Sequence, residues 1–146
     1  MIYRPQFFRL EELVCKEVFF KHGDRAWMFL DEKIVIQIDT IRRLIGKPII
    51  INDWVDGGTF DERGLRCNIC PIVKNKTFLG ELYLSAHVLG KAVDFNVQGM
   101  TPQDVTLWIA FNKDKLPYNM RIEKDTDTWT HIDVYDTGSK LTFFNK

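Results

Sequence analysis

The sequence predicts an α+β chain, and three observations carry that reading. Residues 31–46 form an amphipathic helix, with Ile34, Val35, Ile38, Ile41, Leu44 and Ile45 recurring at spacings of one, three and four. Thr101-Pro102-Gln103-Asp104 opens a second helix with N-cap chemistry. Apolar residues alternate with polar ones over residues 92–97, 119–123 and 128–135, as they do in half-buried strands.

Residues 7–22 read as a helix with an imperfect apolar face, stopped at Gly23-Asp24. Asp31 is the expected N-cap of the next helix and Gly46 its C′ residue. Asp39, Arg42 and Arg43 read as its solvated face. Pro48-Ile49-Ile50-Ile51-Asn52 follows as a short buried strand, and residues 53–79 as a long loop. Loops of that length are usually functional or mobile. The Thr101 helix runs to about Asn112, with Val105, Trp108 and Ile109 facing inward. Residues 119–135 form a hairpin with a polar turn at 124–128, and Leu141-Thr142-Phe143-Phe144 adds a closing edge strand. No repeat, low-complexity tract or linker divides the chain, so residues 1–146 are expected to be a single domain.

Twenty basic and twenty acidic residues give zero formal charge, which advertises neither nucleic acid nor an anionic membrane as a partner. A monomer is expected. Residues 1–9 contain no apolar stretch of signal-peptide length, so the chain is expected to start in the cytoplasm. Three cysteines do not suggest a disulfide framework. Cys67-Asn68-Ile69-Cys70 has the spacing of a zinc knuckle or redox pair, but a four-ligand site would want a second pair that the chain lacks. Reduced thiols in a loop are the expectation.

The chemistry concentrates in residues 85–95. His87 is followed by Gly90 and Asp94. Gly90 can take the positive φ that reverses the chain, bringing imidazole and carboxylate to one point. Such donors suit Zn²⁺ at about 2.0–2.2 Å. A third ligand is needed. Of the remaining histidines, His131 in the strand-like Trp129-Thr130-His131-Ile132-Asp133 is a better candidate than His22. His87, Asp94 and His131 with an open position make the catalytic zinc pattern, in which the metal activates water and polarises a scissile carbonyl.

The run Ser85-x-His87-x-x-Gly90-x-Ala92-x-Asp94, with His131 downstream, resembles the zinc peptidases of the D-Ala-D-Ala carboxypeptidase and hedgehog superfamily. Asn52-x-Trp54, Gly57-Gly58 and Arg63-Gly64-x-Arg66 look like its phage-encoded, endolysin-like branch. The resemblance implies a small antiparallel sheet carrying the zinc site, with helices packed against it. It implies a metallopeptidase acting on peptidoglycan stem peptides, as an endopeptidase or an L,D- or D,D-carboxypeptidase. Release by a holin or packaging in a virion would bring such an enzyme to the wall. A zinc-binding domain that recognises wall peptide or serves a virion without cleaving is the alternative.

Relatives hold a substrate carboxylate with an arginine in a Ser-Gly-Tyr-Arg segment. Here Asn52-Asp53-Trp54 stands in its place, and Arg66, ahead of Arg63, is the expected grip, since guanidinium meets carboxylate as a bidentate fork. Either arginine could instead pair with Asp61 or Glu62. Trp54 is a substrate platform or a loop anchor. Ser85 is expected to hydrogen-bond to a ligand or substrate. Many relatives carry the general base three residues before the second histidine, where this chain has Thr128. Glu123 is the expected replacement: paired opposite Trp129 it would share His131's face. Asp133 comes next, either as base or as a group orienting an imidazole, and Asp127 last.

Overall fold

The first departure from the sequence reading lies at residues 13–15. A computed structural model describes residues 2–146, so Met1 of the amino-terminal reading lies outside it. Residues 7–22 do not form one helix. A 3₁₀ turn, Leu10–Glu12, is separated from helix α1, Lys16–His22, by fully buried Leu13, Val14 and Cys15. The backbone there pairs with Leu65 instead. Leu65 N–H donates to Leu13 C=O at 2.9 Å, and Cys15 N–H donates to Leu65 C=O at 3.2 Å. Buried backbone groups need partners, and these tertiary bonds override local helix propensity. Gly64 permits the approach, because a Cβ there would sit 2.1 Å from Leu13 O.

Helix α2, Glu32–Ile45, is bounded as its sequence requires. The Asp31 side chain accepts from Lys33 N–H, and Gly46 closes the helix in the left-handed conformation. Such an N-cap contributes about 1 kcal/mol. Ile34, Ile38 and Ile41 are buried, and each contributes on the order of 1.5–3 kcal/mol through the apolar surface it removes from water. Asp39 is not on a solvated face. It is 5 % exposed and accepts hydrogen bonds from Tyr3 O–H, Gln6 N–H and Phe7 N–H, tying the amino-terminal segment to the helix.

Strand β1 is only Ile49–Ile50, since Asn52 N–H turns away to Glu12 C=O. Residues 53–79 are not all loop: after a 3₁₀ turn at Trp54–Asp56, helix α3 occupies Pro71–Phe78 behind its N-cap Cys70. Strand β2, Ala92–Val97, and helix α4, Pro102–Asn112, follow as read, α4 with a reciprocal Thr101–Asp104 capping box. Strands β3, Met120–Glu123, and β4, Thr130–Asp133, form the hairpin, and β5, Leu141–Phe144, is the edge.

Among the described residues the result is an α+β fold with four α-helices and a five-stranded sheet in the order β1-β2-β4-β3-β5. The sheet is mixed and not antiparallel throughout, because β5 returns along β3 in the parallel sense. Its two faces have opposite chemistry, as alternation demands. Val93, Phe95, Ile122 and Ile132 share one core with Ile38 and Ile41 of α2 and Val105 and Ile109 of α4. The opposite face carries Asp94, His131, Asp133, Arg121 and Glu123, and it floors a cleft of about 920 Å³. No helix among the described residues is long and apolar enough to cross a membrane.

Candidate metal centre

Sheet register brings two of the three expected ligands together. Asp94 on β2 lies directly opposite His131 on antiparallel β4, so both side chains leave the same face. His87 arrives from the preceding turn. Gly90 has φ +68°, and a Cβ there would meet Phe29 O at 2.1 Å, so residue 90 must be glycine on two counts. Ser85 Oγ accepts from His87 N–H at 3.2 Å, shaping the turn that presents the imidazole.

The three donor atoms converge. His87 Nε2 lies 3.2 Å from Asp94 Oδ1 and 3.3 Å from His131 Nδ1, and His131 Nδ1 lies 2.8 Å from Asp94 Oδ1. All three residues are buried, and as a group they can hold a metal ion. Each imidazole is fixed through its other nitrogen. His87 Nδ1–H donates to Gly64 C=O at 2.8 Å, which leaves Nε2 with its lone pair facing inward. His131 Nε2–H donates to Asp133 Oδ2 at 3.1 Å. Asp133, 0 % exposed, is held in turn by both Nε and Nη2 of Arg121 at 2.8 Å each.

The electrostatics follow from these partners. Burial pushes His87 below its ordinary value, only partly offset by Asp94, so it is neutral. Burial acts in the same direction on His131, but hydrogen bonds to Asp133 and Asp94 outweigh it and raise the imidazole to about 9. Both carboxylates resist burial's upward pull. Asp94 is held well below the usual carboxylate range by the two histidines, and Asp133 is lowered by His131 and Arg121. Of the three groups, His131 is the one drawn toward its charged form, as an imidazolium between two carboxylates. In that form Nδ1, one of the three converging atoms, carries a proton.

The other expected residues fall into distinct places. Arg66 is fully engaged: Nε donates to Glu62 C=O at 2.6 Å, Nη1 to Tyr83 O–H at 2.5 Å, and Nη2 approaches Asp94 Oδ2 at 3.4 Å. It fixes the far oxygen of a candidate ligand. Arg63 lies over the Phe60 ring and donates from Nη2 to Asn96 Oδ1 at 2.7 Å, while its buried Nη1 has no partner. Neither arginine pairs with the side chains of Asp61 or Glu62, which engage Lys16 and Ile72 N–H. Trp54 is the loop anchor. Its Nε1–H reaches Val14 C=O and its ring packs on Phe19 and Phe20.

Glu123 lines the cleft beside His131, Thr128 and Trp129. The register Arg121↔Asp133, Ile122↔Ile132, extended by one residue, sets Glu123 across from His131 rather than Trp129, a shift of two residues that keeps the same face. His22 stacks edge-on against Phe29 and is not in the cluster.

Sequence reasoning missed a second cluster. Cys67 and Cys70 are not isolated thiols in a loop: Cys15 and Glu17, from the start of α1, join them in one group that can hold a metal. The spacing of Cys67 and Cys70 was the only visible signal; their partner is brought in by the Cys15–Leu65 backbone pairing.

In comparisons with known proteins, no family model, curated protein or solved structure matches the chain.

Proposed function

We propose that this chain is a zinc-dependent peptidase of the D-Ala-D-Ala carboxypeptidase and hedgehog kind, acting on peptidoglycan stem peptides. The observation that carries the reading is the triangle of His87 Nε2, Asp94 Oδ1 and His131 Nδ1 at the base of a cleft. Donors held about 2.0–2.2 Å from a tetrahedral zinc lie about 3.3–3.6 Å apart. The two edges at His87 come close to that range, and the third, His131 Nδ1 to Asp94 Oδ1 at 2.8 Å, has the length of a charge-assisted hydrogen bond. When bound, zinc supplies Lewis acidity to a scissile carbonyl and a water whose pKa falls toward neutrality.

The chain's own groups divide the remaining work. Gly64 C=O and Asp133 hold the two imidazoles by their outer nitrogens, which keeps the inner nitrogens on target. Arg63, which lines the cleft and has one guanidinium nitrogen without a hydrogen-bond partner, is the cation offered to a carboxylate of the peptide. Leu82, Leu84 and Phe60 give the cleft an apolar rim that helps exclude water. Glu123, on His131's face, accepts a proton at its carboxylate as general base and returns it to the departing amine. Asp133 is committed to His131 and Arg121, which suits orientation and not proton shuttling.

A second reading, recognition of wall peptide without cleavage, is favoured by one feature: Thr128 lines the cleft where relatives carry a carboxylate. Purified peptidoglycan separates the two. The enzyme releases peptide fragments identifiable by mass, the release stops on chelation, and zinc restores it. Sedimentation with peptidoglycan and no released fragment would establish the binding module.

A further inference from the structure

We propose that Cys15, Cys67, Cys70 and Glu17 form a second, structural zinc site, which fastens helix α1 to the loop supporting the histidine centre. The four donor atoms lie within 4.8 Å of one another. Cys67 Sγ and Cys70 Sγ are 3.7 Å apart. Sulfurs bound about 2.3 Å from a tetrahedral zinc are about 3.8 Å apart, so this pair already has the spacing of two thiolate ligands on one ion. A redox pair accounts for neither Cys15, which is wholly buried beside them, nor Glu17.

Glu17 supplies the independent sign of a ligand. Its Oε2 is buried and has no hydrogen-bond partner. A carboxylate oxygen taken out of water without a partner is costly, and a cation at the thiol cluster would satisfy it. Cys67 N–H donates to Cys70 Sγ at 3.4 Å, which fixes the turn that sets the two sulfurs side by side. Three sulfurs and one oxygen complete a closed four-coordinate set, with no position left for substrate.

The location explains what such a site does. Between Cys15 and Cys67 the chain makes the Cys15–Leu65 backbone bond and offers Gly64 C=O to His87. Zinc across these cysteines clamps the two segments on either side of that carbonyl. Zinc fingers show that structural sites of this kind contribute folding energy directly.

The test empties the histidine centre and counts what remains. Wild type should hold about two zinc ions per chain, and His87→Ala/His131→Ala about one. In that variant the thiols should resist a thiol reagent until a chelator is added. Cobalt(II) added to metal-free wild type should give sulfur-to-cobalt charge-transfer absorption, a readout independent of any variant's folding and of activity. Cys67→Ser should lose one zinc and that absorption. If Cys67→Ser does not fold, Glu17→Gln keeps the shape and should lower zinc affinity at this site at least about tenfold. No charge-transfer band in wild type, or a Cys67–Cys70 disulfide in freshly purified protein, overturns the site. Loss of peptidase activity with the band intact would count against the histidine centre alone.

Discussion

Asp94 and His131 face each other across the β2–β4 ladder, with Oδ1 and Nδ1 2.8 Å apart, so the pairing of two strands alone assembles two-thirds of the candidate centre. A one-residue slip in that register would turn His131 to the apolar face. Val93↔Ile132 and Phe95↔Thr130, buried on the other side, oppose such a slip.

Metal loading at this centre should follow the ligands. His131→Ala leaves two donors, and chelator competition followed by metal analysis should show this site empty at zinc concentrations that fill it in wild type. Unchanged zinc in both His87→Ala and His131→Ala would refute the ligand set.

Zinc uptake should release a proton. In the metal-free protein His131 is raised to about 9, and at pH 7 its Nδ1–H must leave before that nitrogen can bind a metal. His87 is lowered and already neutral, while Asp94 is lowered and already ionised, so neither adds to the release. Affinity should therefore fall roughly tenfold for each pH unit below about 9, and level off above it. Calorimetry in buffers of different ionisation enthalpy should count about one proton at pH 7. An affinity independent of pH between about 6 and 8 contradicts the imidazolium.

The two arginines should separate by phenotype. Arg63→Lys keeps charge but loses the planar guanidinium, so KM should rise about 10- to 100-fold, the worth of a charge-assisted hydrogen bond, with zinc retained. Arg66→Lys cannot keep its contacts to Glu62, Tyr83 and Asp94 together, and should weaken zinc binding. If Arg66→Lys changes only KM, the assignments are exchanged.

These predictions also mark what the sequence could reveal. The Ser85-to-Asp94 run and the alternation around His131 made the His87, Asp94 and His131 cluster legible as a candidate, because strand periodicity and a glycine turn are local properties. The capped helices were legible for the same reason. Three things depended on distant partners. Leu13-Val14-Cys15 looked helical until Leu65 supplied its hydrogen bonds, and the same pairing brought Cys15 to Cys67 and Cys70. Arg63 and Arg66 differ only in what surrounds each guanidinium. The parallel return of β5 has no local signature at all.

The general base decides between enzyme and binding module. Glu123 lies across from His131 on the cleft face and has no strong cation holding it, whereas Asp133 is clamped by Arg121 and His131. Glu123→Gln preserves shape and removes the proton acceptor. It should leave folding and zinc content intact while lowering turnover by a factor on the order of 10² to 10⁴. Asp133→Asn should act through the metal, loosening His131 and weakening zinc about 10- to 100-fold, with activity recovered at saturating zinc. Fragment release from peptidoglycan and metal content, measured on the same preparations, distinguish these outcomes. Full activity in Glu123→Gln, together with an inactive but zinc-loaded Asp133→Asn, would transfer the proton-accepting role to Asp133.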